Sequence, residues 1–216
     1  MIKKFISDFD GTMTQHDFYD LVCKEFPEIL KPGYWQQYEE GKITHFEALK
    51  RIFGGIRADE SELLEIIAKM GIEPRLAEKV AMLRSNGWDI EVTSAGCAWY
   101  IDRLLAQQNV SLTVHANKGV FSREHGLVMS MPDDARFVSQ ELGVNKVAVV
   151  REALKETDIV AFAGDGRPDL VSALMVNPKR RFARSWLAKR LREIGEEYVP
   201  FETWADVADA LVKEEA

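Results

Sequence analysis

The spacing of apolar residues divides the chain into an initial strand, a helical stretch and a longer part in which strands and helices alternate. Residues 1–8 contain a short apolar run that predicts a buried strand. From about residue 15 to about residue 75, apolar positions recur every three or four residues, as on one face of a helix. A Thr-x-x-Glu pattern at residues 44–47 has the form of a capping box and predicts one helix start. No strand pattern interrupts this stretch, so it predicts a group of short helices.

The pattern changes after residue 86, where strands begin to alternate with helices. The predicted strands cover residues 88–94, 111–115, 158–163, 181–183 and 198–201, and the predicted helices cover residues 98–108, 145–155, 169–176, 186–194 and 203–212. Residues 119–122 and 127–129 flank a Glu-His-Gly turn and predict a small β-hairpin. Strands that alternate with helices favour a parallel sheet that is covered on both faces.

Together the two patterns predict an α/β fold with a Rossmann-like parallel sheet, helices on both faces and an inserted helical domain. The core would consist of residues 1–14 and 76–216, and the helical cap of residues 15–75. The cap would stand over the carboxyl ends of the strands, where open α/β sheets place their binding sites.

Composition and charge narrow the classes of function. The chain has 216 residues, 46% of them hydrophobic, which is enough for one sizeable core and an appendage. A net charge of -7 argues against a general nucleic-acid or membrane-surface binder. Apolar residues interrupt the basic stretch at residues 180–192, which favours a helix with one solvated face. Cys23 and Cys97 are far apart, and no secretory pattern or bilayer-length apolar run is present, so a reducing cytoplasm is the expected location.

Polar residues follow the predicted strands, or begin the following helices, at four places. They are Asp8 with Asp10, Ser94, Lys146, and the Gly-Asp-Gly-Arg-Pro-Asp sequence at residues 164–169. Asp8 and Asp10 would point to the same side, and two carboxylates so close need a metal ion, a cation or a shared proton. In a parallel sheet all four places lie along one edge. Four carboxylates, a hydroxyl and an ammonium group suit phosphoryl transfer with a divalent cation.

Each of these residues also has an ordinary structural explanation. Acids and glycine after a strand are common in exposed turns, and Ser94 could be a helix N-cap. Thr93 could replace Ser94, although neighbouring strand residues point to opposite faces. Lys146 alone could be a surface lysine, and the alternative cations are Lys118, Arg136 and Arg151.

The four places resemble, in order, the four motifs of the haloacid dehalogenase superfamily. The helical insertion after the first motif is similar to the cap of the phosphoserine-phosphatase-like branch. Within that branch, the segments at residues 8–17, 51–54, 182–184 and 199–201 resemble phosphatases that act on a hydroxy-keto-methylthiopentenyl phosphate.

The resemblance implies a mechanism through an aspartyl phosphate. Asp8 would attack phosphorus, and Asp10 would protonate the leaving group and then activate water. Mg²⁺ would be held by carboxylate oxygens of Asp8 and Asp165 and by the main-chain carbonyl of Asp10.

The resemblance gives supporting roles to other motif residues. Ser94 and the main-chain N–H of Phe9 would bond phosphoryl oxygens, Lys146 would offset negative charge, and Asp169 would orient Lys146 or a metal-bound water. The remaining supporting residues are Gly11, Thr12, Gly164 and Gly166.

The cap residues that could line the substrate pocket are less clearly marked. The candidates are Arg51, Phe53, Gly54, Gly55 and Asp17. Alternatively, Phe53 belongs to the cap core, Arg51 to the solvated surface, and Asp17 is a charge at a helix start. The histidines at 45, 115 and 125 are scattered and predict no metal site.

These observations predict a Mg²⁺-dependent phosphomonoester hydrolase for a small metabolite, with neither nucleic acid nor membrane as a partner. The substrate could be a methylthiopentenyl phosphate, phosphoserine, phosphoethanolamine or phosphocholine. A phosphotransferase or mutase would share all four motifs. Asp10 argues against a dehalogenase, and an inactive binding module would lack a motif residue, whereas none is missing. The sequence leaves the oligomeric state open.

Overall fold

In the computed structural model of the chain, which describes residues 2–213, a mainly parallel sheet of seven strands is the central layer. The strands are β1 (Lys3–Ser7), β2 (Trp88–Cys97), β3 (Thr113–Ser122), β4 (Gly126–Ser130), β5 (Val138–Ser139), β6 (Gly143–Val144), β7 (Val160–Gly164), β8 (Arg181–Ala183) and β9 (Val199–Pro200). The order across the sheet is β4-β3-β2-β1-β7-β8-β9, while β5 and β6 pair only with each other. Neighbouring strands of the large sheet are parallel, except that β3 and β4 are antiparallel.

Helices cover both faces of the sheet. The helices are α1 (Phe18–Glu25), α2 (Tyr34–Glu39), α3 (His45–Gly54), α4 (Glu60–Ala68), α5 (Leu76–Ser85), α6 (Ala98–Gln107), α7 (Lys146–Glu156), α8 (Leu170–Leu174), α9 (Ser185–Glu193) and α10 (Trp204–Lys213). On one face, Phe5 stacks on Trp204 of α10 at 5.6 Å between ring centroids. Ile6 points to the other face, in a core that includes residues of α7, α8 and α9. Successive side chains of β1 therefore pack into two separate apolar layers, one on each face of the sheet. The predicted α/β fold is confirmed.

The helices α1–α4 lie between β1 and α5, in the stretch that the sequence predicts to be helical. At the start of α3, the Thr44 hydroxyl accepts a hydrogen bond from the Glu47 N–H at 3.2 Å, so the predicted helix start is confirmed. Helix α2 is not predicted as a separate element, because the Pro-Gly sequence at residues 32–33 reads as a break. The exact division into a core and a cap at residues 15–75 stays a prediction, and its outer limits at residues 1 and 216 lie outside the described part.

The β-hairpin is confirmed, but its first strand differs from the prediction. Residues 111–115 and 119–122 are predicted as two strands, whereas a single strand, β3, begins at Thr113 and continues without a break to Ser122. Its first half pairs with β2 and its second half pairs with β4. Polar Asn117 and Gly119 suggest a break, but Asn117 is fully buried and donates to the carbonyls of Ala95 and Leu142. The hairpin therefore extends the main sheet.

The basic stretch at residues 180–192 is only partly a solvated helix face. Arg181 belongs to β8, and its buried side chain pairs with Glu196 at 2.8 Å and donates to main-chain carbonyls. The exposed basic residues of α9 are Lys189, Arg190 and Arg192. The prediction of one solvated face is thus wrong for Arg181, whose charge is used inside the fold. Across residues 2–213, none of the helices has the length and apolar character needed to cross a bilayer.

Candidate active site

A cleft of about 390 Å³ opens at the carboxyl ends of the central strands, between the sheet and the inserted helices. Its lining includes both acids that follow β1, namely Asp8 and Asp10. Ser94 of β2, Lys146 of α7 and the loop after β7 also reach the cleft. The structure thus brings together residues from all four predicted places.

Lys146 lies between two carboxylates at the floor of the cleft. Its Nζ atom donates to Asp8 Oδ1 at 2.6 Å and to Asp169 Oδ1 at 2.7 Å, and all three side chains are buried. Lys146 begins α7, where the Asn145 side chain caps the helix by accepting from the Ala148 N–H. Burial lowers the pKa of Lys146, but Asp169 and Asp8 outweigh this effect and raise the pKa above its ordinary value. The ammonium group is therefore a fixed positive charge.

The alternative cations lie elsewhere. Lys118 pairs with Asp133, and Arg136 pairs with Asp134, each in an exposed ion pair. Arg151 is an exposed residue of α7. None of the three is among the described residues that line the cleft.

Asp8 follows β1 and is only 4% exposed. Its Oδ2 atom accepts a hydrogen bond from the Thr12 hydroxyl at 2.9 Å, so each of its oxygens has a defined partner. Burial and the nearby Asp169 carboxylate raise the pKa of Asp8 to about 7, while Lys146 opposes this shift.

Asp10 is surrounded by hydrogen-bond donors. Its Oδ2 atom accepts from Ser94 Oγ at 3.0 Å and from Tyr100 Oη at 2.8 Å, and its Oδ1 atom accepts from the Phe18 N–H at 3.3 Å. Burial raises the pKa of Asp10, while the three hydrogen bonds lower it. The Oγ atom of Thr93, in contrast, is buried without a partner among the described residues, and Thr93 does not line the cleft.

Tyr100 is a site residue that the sequence analysis misses. It lies in the first turn of α6 and is 1% exposed, so its spacing resembles that of the core residues around it. Gly96 leaves the space that its hydroxyl occupies, because a Cβ atom at position 96 would lie 1.8 Å from Tyr100 Oη. The Tyr100 ring also stacks on Phe18 of the insertion, at 4.4 Å between centroids. In the sequence, only Gly96, shortly after the end of a predicted strand, could have indicated the contact between Tyr100 and Asp10.

The acids of the loop after β7 complete a group of three carboxylates. Asp8, Asp165 and Asp169 each offer an oxygen within 4.8 Å of the others. Asp169 Oδ2 accepts from the N–H groups of Asp165 and Gly166, at 3.1 and 2.9 Å. Gly164 is needed beside this loop, because a Cβ atom there would lie 2.7 Å from the Asp169 carboxylate.

Asp165 has the chemistry of a metal ligand. No described residue donates a hydrogen bond to its carboxylate, and burial together with Asp8 and Asp169 raises its pKa to about 9. Three carboxylates face a single ammonium group here, and a divalent cation would relieve their repulsion. The donor set therefore fits a hard, oxygen-preferring ion.

Gly11 allows the turn after β1 to approach the Asp165 carboxylate closely. Its φ of 68° lies in the left-handed region that favours glycine, and a Cβ atom would lie 2.5 Å from Asp165 Oδ2. Arg184, a second residue that the sequence analysis does not assign to the site, holds the same turn. It donates from Nε to the Gly11 carbonyl at 2.6 Å and from Nη2 to the Thr14 carbonyl at 2.8 Å.

Of the five predicted cap residues, two line the cleft and three do not. Asp17 and Phe53 line the cleft, and Asp17 also caps α1 by accepting from the Tyr19 N–H at 2.7 Å. Arg51 pairs with Glu47 at 2.7 Å, outside the cleft lining. Gly54 and Gly55 end α3 and are also outside it.

Several aromatic residues of the insertion line the cleft without having been predicted. They are Tyr19, Trp35, Tyr38 and His45. Trp35 and Tyr38 belong to α2, the helix that the sequence pattern does not separate. The density of aromatic residues at positions 34–38 is the only signal for them in the sequence.

Relatives of the chain are known along its full length, although no protein-family model matches it. The 2-hydroxy-3-keto-5-methylthiopentenyl-1-phosphate phosphatase of Exiguobacterium sibiricum is 25% identical over 98% of this chain and 97% of its own length. The protein of the same name from Bacillus velezensis is 27% identical, over 94% of this chain and 86% of its own.

Solved structures share the fold. A HAD family hydrolase from Salmonella enterica serovar Typhi superimposes with a TM-score of 0.73, at 18% identity, over 99% of this chain and 72% of its own. A phosphoserine phosphatase in a phospho-aspartyl intermediate analogue form gives a TM-score of 0.64, at 14% identity, over 96% and 98% of the two chains. The full-length relatives carry the names of phosphatases, and the solved structures give this chain the fold of HAD family hydrolases and phosphoserine phosphatases, with the four motifs gathered at one cleft.

Proposed function

We propose that the chain is a Mg²⁺-dependent phosphomonoester hydrolase in which Asp8 forms an aspartyl phosphate. The observation that carries the proposal is the buried Asp8 carboxylate at the cleft floor, held by Lys146 at 2.6 Å and next to a three-carboxylate cluster. A nucleophile beside a fixed cation suits attack on an anionic phosphoryl group.

In the first step, an Asp8 oxygen forms a bond to phosphorus while the bond between phosphorus and the leaving oxygen breaks. Lys146 offsets the charge that accumulates on Asp8 and the phosphoryl oxygens. Ser94 Oγ and the Phe9 N–H donate to those oxygens in this proposal. Ser94 already reaches the cleft, since its hydroxyl contacts Asp10.

Asp10 supplies the proton transfers. It protonates the leaving alkoxide and then accepts a proton from the water that hydrolyses the acyl phosphate, which regenerates Asp8. Its burial keeps the pKa above the ordinary value, as a general acid requires, and its donors fix the carboxyl group in place.

The residues that would hold Mg²⁺ are the carboxylates of Asp8 and Asp165 and the main-chain carbonyl of Asp10. When bound, the ion neutralises the acids and polarises the phosphoryl group. Asp169 supports the site through Lys146 and through the main-chain N–H groups of Asp165 and Gly166.

For the substrate we propose 2-hydroxy-3-keto-5-methylthiopentenyl 1-phosphate, acted on in the cytoplasm. The full-length relatives that carry this name support it. The insertion contributes the acids Asp17 and Glu39 to the described cleft lining and no cation, whereas Arg167 of the loop after β7 also lines the cleft, so phosphoserine is the second candidate. Arg51, the predicted partner for a carboxylate, pairs with Glu47 instead.

The proposal is tested by phosphate release from a panel of small phosphorylated metabolites with Mg²⁺, comparing the wild type with Asp8→Asn. We expect turnover by the wild type, loss of activity in Asp8→Asn with retained folding, and loss of wild-type activity in a chelator. Equal release by both proteins would remove Asp8 from its role, and indifference to the chelator would remove the metal. Product analysis with added acceptor alcohols separates hydrolysis from phosphotransfer.

A further inference from the structure

We propose that the aromatic residues of the insertion form the binding surface for an uncharged, thioether-bearing tail of the substrate. This surface, the aromatic wall, consists of Tyr19, Trp35, Tyr38 and His45. In the same proposal, His45 donates or accepts a hydrogen bond with a substrate oxygen between the tail and the phosphate. The inference rests on the proposed phosphatase function.

Trp35 is at the centre of the aromatic wall. Its ring centroid lies 4.6 Å from that of Tyr19, 5.2 Å from Tyr38 and 5.7 Å from His45, and Tyr38 and His45 are 5.3 Å apart. The four side chains come from α1, α2 and α3, so the folded insertion is required to assemble them. They form one continuous aromatic surface.

The aromatic wall lies in the same cleft as the phosphate-handling residues. Leu49 and Phe53 of α3 also line it, so the side contributed by the insertion is largely apolar. The sheet side contributes Asp8, Ser94 and Lys146. A substrate held by its phosphate at Asp8 would therefore extend its other end along the apolar side.

His45 carries a polar atom that has no partner in the described protein. Its Nδ1 atom is buried and makes no hydrogen bond with any described residue. Burial lowers the pKa of His45 to about 4, and the nearby Lys146 charge acts in the same direction, so the ring is neutral near pH 7. A buried polar atom without a partner is costly, and a neutral ring suits a carbonyl or hydroxyl oxygen better than an anion.

The packing of the rings favours an uncharged tail. A quaternary ammonium group is held by several ring faces that surround it. Here the centroid of Trp35 lies only 5.2 Å from that of Tyr38 and 5.7 Å from that of His45, so these rings contact each other directly and leave no space for an ammonium group between them. A thioether packs well against aromatic rings. A cationic tail, attracted by Asp17 and Glu39, is the alternative that the experiment decides.

The experiment compares kcat/KM for three stable probes: ethyl phosphate, 5-(methylthio)pentyl phosphate and phosphocholine. It uses the wild type, Trp35→Ala and the control Tyr34→Ala. Tyr34 precedes Trp35 on α2 but lies outside the cleft lining, under Arg51. We expect the wild type to prefer the methylthio probe to ethyl phosphate by about tenfold or more, given the value of apolar contacts in such pockets.

Trp35→Ala should remove most of this preference, while Tyr34→Ala should leave both the preference and kcat/KM for ethyl phosphate within about twofold of the wild type. The inference is overturned if Trp35→Ala affects both probes equally, if Tyr34→Ala has the same effect, or if phosphocholine is the preferred probe. No turnover of any probe would instead contradict the proposed phosphatase function.

The role of His45 is tested with a methylthio probe that carries a keto group and its analogue without that group. His45→Phe should lose the preference for the keto probe, and His45→Gln, which keeps a hydrogen-bonding group, should restore part of it. An unchanged preference in His45→Phe would exclude the hydrogen bond. Binding of both probes to Asp8→Asn, measured by calorimetry, provides the same comparison without turnover.

Discussion

The Tyr100 hydroxyl is 2.8 Å from Asp10 Oδ2 and has no charge of its own, so its contribution can be removed without changing the charge of the site. We expect Tyr100→Phe to lower kcat by about 10- to 100-fold, because a less firmly held Asp10 transfers protons less efficiently. KM should change little, since Tyr100 is not proposed to contact the phosphate. Steady-state kinetics with one small phosphate ester measures both parameters.

A matched variant tests the same contact from the other side. Gly96→Ala places a Cβ atom where the Tyr100 hydroxyl lies, so it should reproduce the loss of kcat. If both variants keep wild-type kcat, the hydrogen bond has no part in positioning Asp10.

Lys146 is the single buried cation between Asp8 and Asp169 among the described residues. Lys146→Met should lower kcat by more than about 100-fold, because the developing negative charge loses its counter-charge. It should also lower stability, since breaking a buried ion pair costs about 3–5 kcal/mol. Phosphate-release kinetics and thermal unfolding measure the two effects.

Lys118→Met is the control for Lys146, because Lys118 forms an exposed ion pair with Asp133. It should keep both activity and stability near the wild type. The opposite outcome, with loss of activity only in Lys118→Met, would transfer the role to Lys118.

The strands β1, β2 and β3 are joined by a charged network as well as by their main-chain ladder. Glu91 of β2 accepts from Lys4 of β1 at 2.8 Å and contacts His115 Nε2 of β3 at 2.9 Å. The hydrogen bond with His115 and the Lys4 ammonium both lower the pKa of Glu91. They outweigh the effect of partial burial, which raises it, and the resulting pKa is about 2. Because this pKa lies below its ordinary value of 4.5, the ionised Glu91 carboxylate stabilises the folded state above pH 4.5. This contribution to the free energy of unfolding is lost as the pH falls toward 2.

We therefore expect Glu91→Gln to lower the free energy of unfolding by about 1–3 kcal/mol at pH 7. The difference from the wild type should shrink as the pH falls from about 4.5 toward 2. Asp89→Asn is the control, because Asp89 bonds the same Lys4 but its side chain is 56% exposed. Denaturant unfolding at several pH values would contradict the linkage if the difference stays constant.

At the level of strands and helices, most of the architecture follows from local pattern. The apolar residues of β1, β2 and β7 and the helices between them are where their spacing predicts. The wrong predictions are breaks that the local sequence suggests and that tertiary contacts or the following residues override. Asn117 looks like a strand break but is satisfied in the interior by two carbonyls of other segments, and Pro32-Gly33 reads as a break although α2 begins immediately after it.

In the whole molecule, the hairpin and the insertion meet at Gly126. Its φ is 67°, and a Cβ atom there would lie 2.6 Å from the Phe53 carbonyl and 2.8 Å from those of Gly54 and Ile56. Gly126→Ala should destabilise the protein by about 1–3 kcal/mol, through backbone strain and displacement of the end of α3. KM should rise as well, because Phe53 lines the cleft.

Gly41→Ala distinguishes backbone strain from displacement of the end of α3. Gly41 has a φ of 71°, but no atom lies within 4 Å of the position that a Cβ atom would occupy, so the variant carries only the strain, of about 1–2 kcal/mol. Thermal unfolding and KM of the two variants give the comparison. Equal effects at both positions would mean that contact with α3 contributes nothing.

The candidate site was predictable where charge and strand ends coincide, as for Asp8, Asp10, Lys146 and Asp165. Each lies after a strand or at a helix start, and the parallel topology brings them together. Tyr100 and the aromatic wall were not predictable, because an aromatic residue has the same sequence pattern whether it faces a core or a cleft.

The continuity of β3 with the hairpin has a consequence for biosynthesis. Leu127 and Met129 of β4 are buried in the apolar cluster that includes residues of α3, whereas Val120 and Val128 on the hairpin are exposed. Without the insertion, Leu127 and Met129 would also be exposed to solvent. The antiparallel hairpin would then carry an apolar surface that is prone to self-association. The insertion precedes the hairpin in the chain, so the ribosome releases the protecting helices before the ribbon that they cover.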